Sequence, residues 1–204
     1  MTELHKALND IDSIRRQVAQ TTEFRGYGPA TLAATAALAV TAAVVQAHFA
    51  HSPANNIATY LTIWIVTAAL AAGLTGVQMY TRARRMHSGL SQEMIHIAVE
   101  QFAPAMIAGV LITAVLVRFA PTTVWMLPGL WQVIFALGVF SSCRFLPRAM
   151  VAPGIWYLLT GLACLSLGDE RALAPWTMGI AFGAGQLLVA AILYFRSNEA
   201  SDEI

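Results

Sequence analysis

Six long apolar stretches that carry almost no charge predict an all-α membrane protein with six transmembrane helices. Only 11% of the 204 residues are charged, 57% are hydrophobic, and the mean hydropathy is +0.62. A soluble domain of this size covers itself with about a quarter charged residues. A helix crossing the ~30 Å hydrocarbon core needs ~20 mostly apolar residues. Six segments meet that requirement: Pro29–Phe49, Ile57–Tyr80, Phe102–Ala120, Thr122–Ser142, Leu146–Leu167 and Ala172–Phe195. The expected organisation is a cytoplasmic segment 1–28, a transmembrane domain 29–196 and a cytoplasmic tail 197–204.

The leader is expected to form an amphipathic helix, because Leu4, Leu8, Ile11, Ile14 and Val18 recur at helical spacing. Asp12 and Arg16 add a favourable pair four residues apart. The apolar stretch after it is too long for the h-region of a cleavable signal peptide and is expected to stay as the first span. Prolines are expected to open the odd helices, at Pro29, Pro104 and Pro147, since the first helical turn does not use its N–H groups. The even helices each carry a tryptophan in the outer part, Trp64, Trp131 and Trp176, followed seven positions later by Ala71, Gly138 and Gly183. This pattern suits three tandem helical hairpins, although proline entries and interfacial tryptophans are common in membrane proteins. Between the second and third spans, Ser91 can cap an amphipathic helix running to Phe102. Such a helix is expected to lie in the bilayer interface, to dock a partner helix or to close the cytoplasmic mouth.

Basic residues gather in short cytoplasmic segments. With the N-terminus inside, Lys6, Arg15, Arg16, Arg25, Arg82, Arg84, Arg85, Arg144, Arg148 and Arg196 all fall on the cytoplasmic side. Only Arg118 and Arg171 fall outside, and an even number of spans returns the C-terminus to the cytoplasm. The expected location is the bacterial cytoplasmic (inner) membrane.

All eleven acidic residues lie outside the spans, and no lysine or histidine sits near a span's centre. Intramembrane charge marks proton relays and ion sites, so this distribution argues against a proton-driven pump or a membrane-buried haem. A net charge of +1 with no basic stripe gives no reason to expect nucleic acid. Glu93 and His96 have the spacing of half a di-iron motif, which needs a second such pair. His48 and His51 supply only two ligands, too few for a committed metal site. Cys143 and Cys164 read as small apolar residues. No catalytic, cofactor or metal residues are therefore assigned, and the chain is not expected to be an enzyme.

What the spans do hold is neutral and polar: Gln46, Gln78, Gln132 and Gln186, with several threonines and Ser141. These serve either as hydrogen-bonding links between helices or as the lining of a solute site. Gln78, Gln132 and Gln186 are the candidate cavity-lining residues. Gly179 and Gly183, four apart in the last span, are candidates for close helix packing, within the chain or in a homo-oligomer. Gly73 and Gly76 offer the second span the same opportunity.

The run Ile14-Arg15-Arg16-Gln17 followed by Thr22-Glu23-Phe24-Arg25-Gly26-Tyr27-Gly28-Pro29-Ala30-Thr31 resembles the opening of a group of short, uncharacterised bacterial integral membrane proteins. The resemblance covers about the first forty residues and implies no activity. It does imply that the charged run beside the membrane is the group's signature, which makes Glu23, Arg25 and Tyr27 candidate contacts for a cytoplasmic protein partner. The physical alternative is interfacial anchoring by Arg25 and Tyr27, with a bend at the two glycines. The sequence thus points first to a non-enzymatic scaffold, sensor or regulatory partner in the lipid bilayer. A small transporter or channel for a neutral or amphipathic solute is the alternative.

Overall fold

In the computed structural model, residues 28–50, 56–86, 89–143 and 148–202 are described, with side chains for 28–50, 56–81, 99–143 and 149–195. They form six α-helices: α1 Pro29–Phe49, α2 Ile57–Met86, α3 Gly89–Phe119, α4 Leu127–Ser142, α5 Val151–Ser166 and α6 Pro175–Asp202. Short 3₁₀ turns, Pro121–Met126, Arg148–Met150 and Glu170–Leu173, lead into α4, α5 and α6, and there is no strand among the described residues. The leader helix, Glu23, Arg25, Tyr27 and the segment containing His51 lie outside the described residues.

Helix length matches a bilayer. At ~1.5 Å per residue, the 21 residues of α1 reach about 31 Å. Five spans are long and apolar enough to cross a membrane, Pro29–Phe49, Ile57–Thr81, Val99–Phe119, Pro175–Phe195 and Pro121–Ser142, the last being α4 together with the 3₁₀ turn ahead of it. α5 is shorter, 16 residues or about 24 Å. The 3₁₀ turn ahead of it rises ~2 Å per residue and brings the unit close to the required ~30 Å.

Two expectations change. The segment from Ser91 to Phe102 is not a separate interfacial helix but the first part of α3, which runs unbroken from Gly89 to Phe119. Pro104 consequently sits inside α3 rather than at its start. A proline removes one ladder bond and crowds the carbonyl four residues back. Ser141 Oγ of α4 donates to the Gln101 carbonyl at 3.0 Å, within this weakened turn. The last span also begins later than expected, at Pro175, because the backbone at Ala174 is extended (φ −60°, ψ 145°) and ends the preceding turn.

Gly28 marks the proximal end of the bundle; Ala50, Asn56 and the connections 120–126 and 167–174 mark the distal end. In cross-section the helices follow the order α2, α1, α6, α5, α4, α3, with a loose closure between α3 and α2. Neighbours in sequence do pair, α4 with α5 most extensively, but the largest interface joins α1 to α6.

Both of those interfaces are built on small residues. α1 buries Ala36, Ala39, Ala42 and Ala43, and α6 lays Gly179 and Gly183 across them. A Cβ at Gly179 would stand 2.6 Å from the Ala43 Cβ, and one at Gly183 would stand 3.1 Å from Val40. The Gly179-Gly183 spacing therefore packs within the chain. Between α4 and α5, Gly129 and Gly161 bring the backbones together: a Cβ on Gly129 would lie 2.8 Å from the Gly161 carbonyl oxygen. Gly73 and Gly76 do not pack in this way, because nothing lies within 4 Å of a Cβ placed on either.

Mid-bundle space is filled by rings. Phe135 of α4 meets Phe102 of α3, Tyr157 of α5 and Phe182 of α6 edge-on, with centroids 5.3, 4.8 and 5.4 Å away. Such geometry adds ~0.5–1.5 kcal/mol per pair beyond area burial.

These contacts set opposite outcomes for two glycine replacements. Gly161→Val should lower stability by several kcal/mol in a detergent unfolding titration, because the opposing atom is a backbone carbonyl that cannot yield. Gly73→Ala should be neutral or stabilising by up to ~1 kcal/mol, the gain in helix propensity.

Candidate functional site

The polar side chains of the spans converge at the distal end on the segment 172–178, where the chain enters α6. This segment has a backbone problem. Ala172 and Leu173 are buried, yet the extended turn at Ala174 and the missing N–H of Pro175 leave their carbonyls outside the α6 ladder. In a lipid-surrounded interior each such group must find a donor in the protein.

Donors come from α1, α4 and α5 and from α6 itself. Gln46 of α1 donates through Nε2 to the Leu173 carbonyl at 2.7 Å, across 127 positions of sequence. Cys164 of α5 directs its thiol at the Ala172 carbonyl at 3.7 Å, and Thr177 Oγ1 donates to that oxygen at 2.7 Å. Gln132 of α4 donates to the Thr177 carbonyl at 3.2 Å and touches the Met178 sulfur at 3.8 Å. α2 joins indirectly, since Trp64 Nε1 donates to Gln46 Oε1 at 2.7 Å. Gln46 therefore uses both ends of its amide.

A similar bridge holds α3. Trp131 Nε1 of α4 donates to Thr113 Oγ1 at 2.8 Å. The Gln46–Trp64 and Thr113–Trp131 pairs are both separated by 18 positions, so the first two hairpins share this device. The third does not: Trp176 is exposed, and Trp156 of α5 donates instead to the Ala181 carbonyl.

Two residues beside the segment remain incompletely paired. Tyr60 of α2 and Gln132 have no exposure to solvent. The Tyr60 hydroxyl and Gln132 Oε1 have no hydrogen-bond partner. Tyr60 stacks on Trp131 with centroids 6.4 Å apart and packs in the cluster holding Leu173 and Met178.

The other predicted lining residues sit elsewhere. Gln78 Oε1 accepts the Gly28 N–H at 3.0 Å, tying the proximal end of α2 to the start of α1. Gln186 is half-buried in α6 and makes no hydrogen bond to Gln78. Sequence reading singled out Gln132 but not Tyr60, Trp64 or Cys164 as its companions; the matched 18-residue separations were the available signal. The threonine hydroxyls of the helices mostly bond back to their own chain, as Thr62, Thr67 and Thr75 do to the carbonyls four residues earlier.

At the distal surface, Asp169 caps the 3₁₀ turn by accepting from the Arg171 N–H, and its carboxylate pairs with Arg171 Nε at 2.8 Å. The hydrogen bonds from Arg171 hold this exposed carboxyl below its usual range. Among the described residues, no three His, Cys, Asp or Glu side chains gather as a metal site. Compared with family models, curated proteins and solved structures, the chain matches none.

Gln46→Leu should be the most damaging polar change, on the order of 2 kcal/mol in reversible unfolding, since it strands a buried carbonyl and an indole N–H together. This exceeds the ~0.6 kcal/mol average for membrane hydrogen bonds, because the turn carbonyl has no alternative donor on its own helix. Tyr157→Phe should be neutral or stabilising. The Tyr157 hydroxyl is buried without a partner, over Gly185 and between Phe135 and Phe182.

Proposed function

We propose that this is a non-enzymatic integral membrane protein of the bacterial inner membrane, with cytoplasmic termini, acting as a scaffold, sensor or regulatory partner. The observation that carries the reading is the α2–α3 pair. The span of α3 buries none of its residues and that of α2 only 11%, against 39%, 39% and 33% for the spans containing α1, α4 and α6. α2 and α3 are also the longest helices, 30 and 31 residues, or about 45 Å each. They exceed the ~30 Å hydrocarbon core by about a third of their length, and only residues 87 and 88 separate them.

A pair of helices this long and this lightly packed suits a surface offered to another protein. The rest of the bundle supports the same reading. Its described interior is neutral and filled by aromatic rings where α3, α4, α5 and α6 meet, which favours a structural role over passage of solute.

The test uses the tagged full chain in native membranes. Gly73→Leu with Gly76→Leu adds bulk where no neighbouring atom is displaced. The double variant should keep its thermal midpoint within ~2 °C and lose a stoichiometric co-purifying protein that the parent retains. Retention of the same protein by the variant counts against the α2 surface. Proteoliposomes should show no flux of neutral solutes such as glycerol above protein-free vesicles; robust flux would favour the transporter alternative.

A further inference from the structure

The proximal tie of α2 joins three parts of the chain at one residue. Gly28 is buried, and its carbonyl accepts from the Thr31 and Leu32 N–H groups, opening the α1 ladder. Its own N–H, ahead of the first helical turn, has no partner in that helix. Gln78 Oε1 of α2 accepts it at 3.0 Å, across 50 positions of sequence. The segment 1–27 enters the bundle through this residue.

The two sides of the bond are held unequally. α1 is fixed by α6, whose Gly179 and Gly183 stand against Ala43 and Val40. α2 has no such seam. Trp64 bonds to Gln46 at its distal end, and Met79 is buried beside Gln78 at its proximal end. From residue 65 to residue 77 no residue of α2 is buried. Gly73 and Gly76 have no atom within 4 Å of an added Cβ, and Thr67 and Thr75 bond back to α2's own carbonyls. That unfastened stretch is about 20 Å of helix.

We propose that the Gln78–Gly28 hydrogen bond is a latch, coupling the chain ahead of α1 to the position of α2. Closed, it holds the proximal half of α2 against α1. A displacement of the segment 1–27 turns the Gly28 N–H away, and α2 then tilts about its Trp64 attachment. The Gly28 N–H and carbonyl belong to different peptide planes, so rotation about φ moves one and leaves the other in the α1 ladder. Glycine permits that rotation. One ordinary hydrogen bond favours the closed arrangement by roughly tenfold or less, so a modest preference of a ligand for either state shifts the balance. Use of this movement by a partner rests on the α2 surface proposed above; the latch itself does not.

The experiment measures distances in the purified full chain in lipid nanodiscs, with no partner present. Spin labels on a ketone-bearing amino acid replace the exposed Val77 of α2 and Ala191 of α6, leaving Cys143 and Cys164 unaltered. A tilt of about 15° over 20 Å moves residue 77 by about 5 Å. Gln78→Leu removes the acceptor and should lengthen or broaden the 77–191 distance by about that amount. Gln78→Glu keeps an oxygen acceptor and should retain the parent distribution. A distal pair at Val66 and Ile180, both exposed, should stay unchanged in either variant. Deleting residues 2–22 should change the 77–191 distribution of the parent and leave that of Gln78→Leu as it is. An unchanged 77–191 distance in Gln78→Leu, or in the deleted parent, overturns the proposal. So does an equal change at the distal pair, or the same widening in Gln78→Glu, since Gln78 would then act by packing. Failure of Gln78→Leu to fold overturns it too, because α1, α4, α5 and α6 are to stand without the latch.

Discussion

The carbonyls of the turn entering α6 must be satisfied where water cannot reach them, and this requirement organises the distal half of the bundle. A helix satisfies its own backbone; a turn closed by an extended Ala174 and followed by Pro175 does not. Gln46, Cys164 and Thr177 pair the Ala172 and Leu173 carbonyls, and Gln132 adds a donor to the Thr177 carbonyl. Because Gln46 also accepts from Trp64, one amide couples α1, α2 and the entry to α6. The glutamines are thus set by backbone geometry rather than by a charge to be carried.

Hydrogen bonds fix register at one end, and small residues fix distance along the rest. Lipid is as apolar as the helix faces, so burial of apolar surface drives association only weakly and close van der Waals contact takes its place. Gly179 and Gly183 on the alanines of α1, and Gly129 against Gly161, provide that contact at the two largest interfaces. α2 and α3 lack such a seam along their middles. α2 is instead fastened near its ends, by Tyr60 and Trp64 distally and by Gln78 proximally.

The spans were legible in the sequence because charge exclusion from lipid is a strong, local constraint. α1, Pro29–Phe49, falls where the apolar run places it. Packing at Gly179 and Gly183 was legible from spacing, though its partner was not: small residues four apart look alike whether they face α1 or another molecule. Pro104 misled because proline is favoured in a first turn and also tolerated inside a membrane helix; here Ser141 braces the weakened turn at the Gln101 carbonyl, next to the position the proline leaves unbonded. The amphipathic pattern from Ser91 to Phe102 fixes a helix and its faces but not whether that helix bends at its junction with the span. Pairings such as Gln46 with Leu173 join positions 127 residues apart, and no local periodicity encodes them.

This division of labour bears on what the molecule can do. α1, α4, α5 and α6 form a block locked by backbone-close contacts and ring packing, and such contacts tolerate little displacement. α2 and α3 lie at the edge of that block: the Gln46–Trp64 and Gly28–Gln78 bonds are point attachments for α2, while α3 has the Thr113–Trp131 and Ser141–Gln101 bonds and packs Phe102 against Gly138. A point attachment lets a helix tilt about the bonded residue at the cost of few contacts, whereas sliding α6 along α1 would drive Ala43 into Gly179. Displacing α2 when a partner binds would therefore disturb fewer backbone-close contacts than displacing α6 against α1. α2 is tied at both ends, distally through Gln46 and Trp64 and proximally through Gln78 to the Gly28 N–H, so a tilt of α2 requires one of these bonds to break.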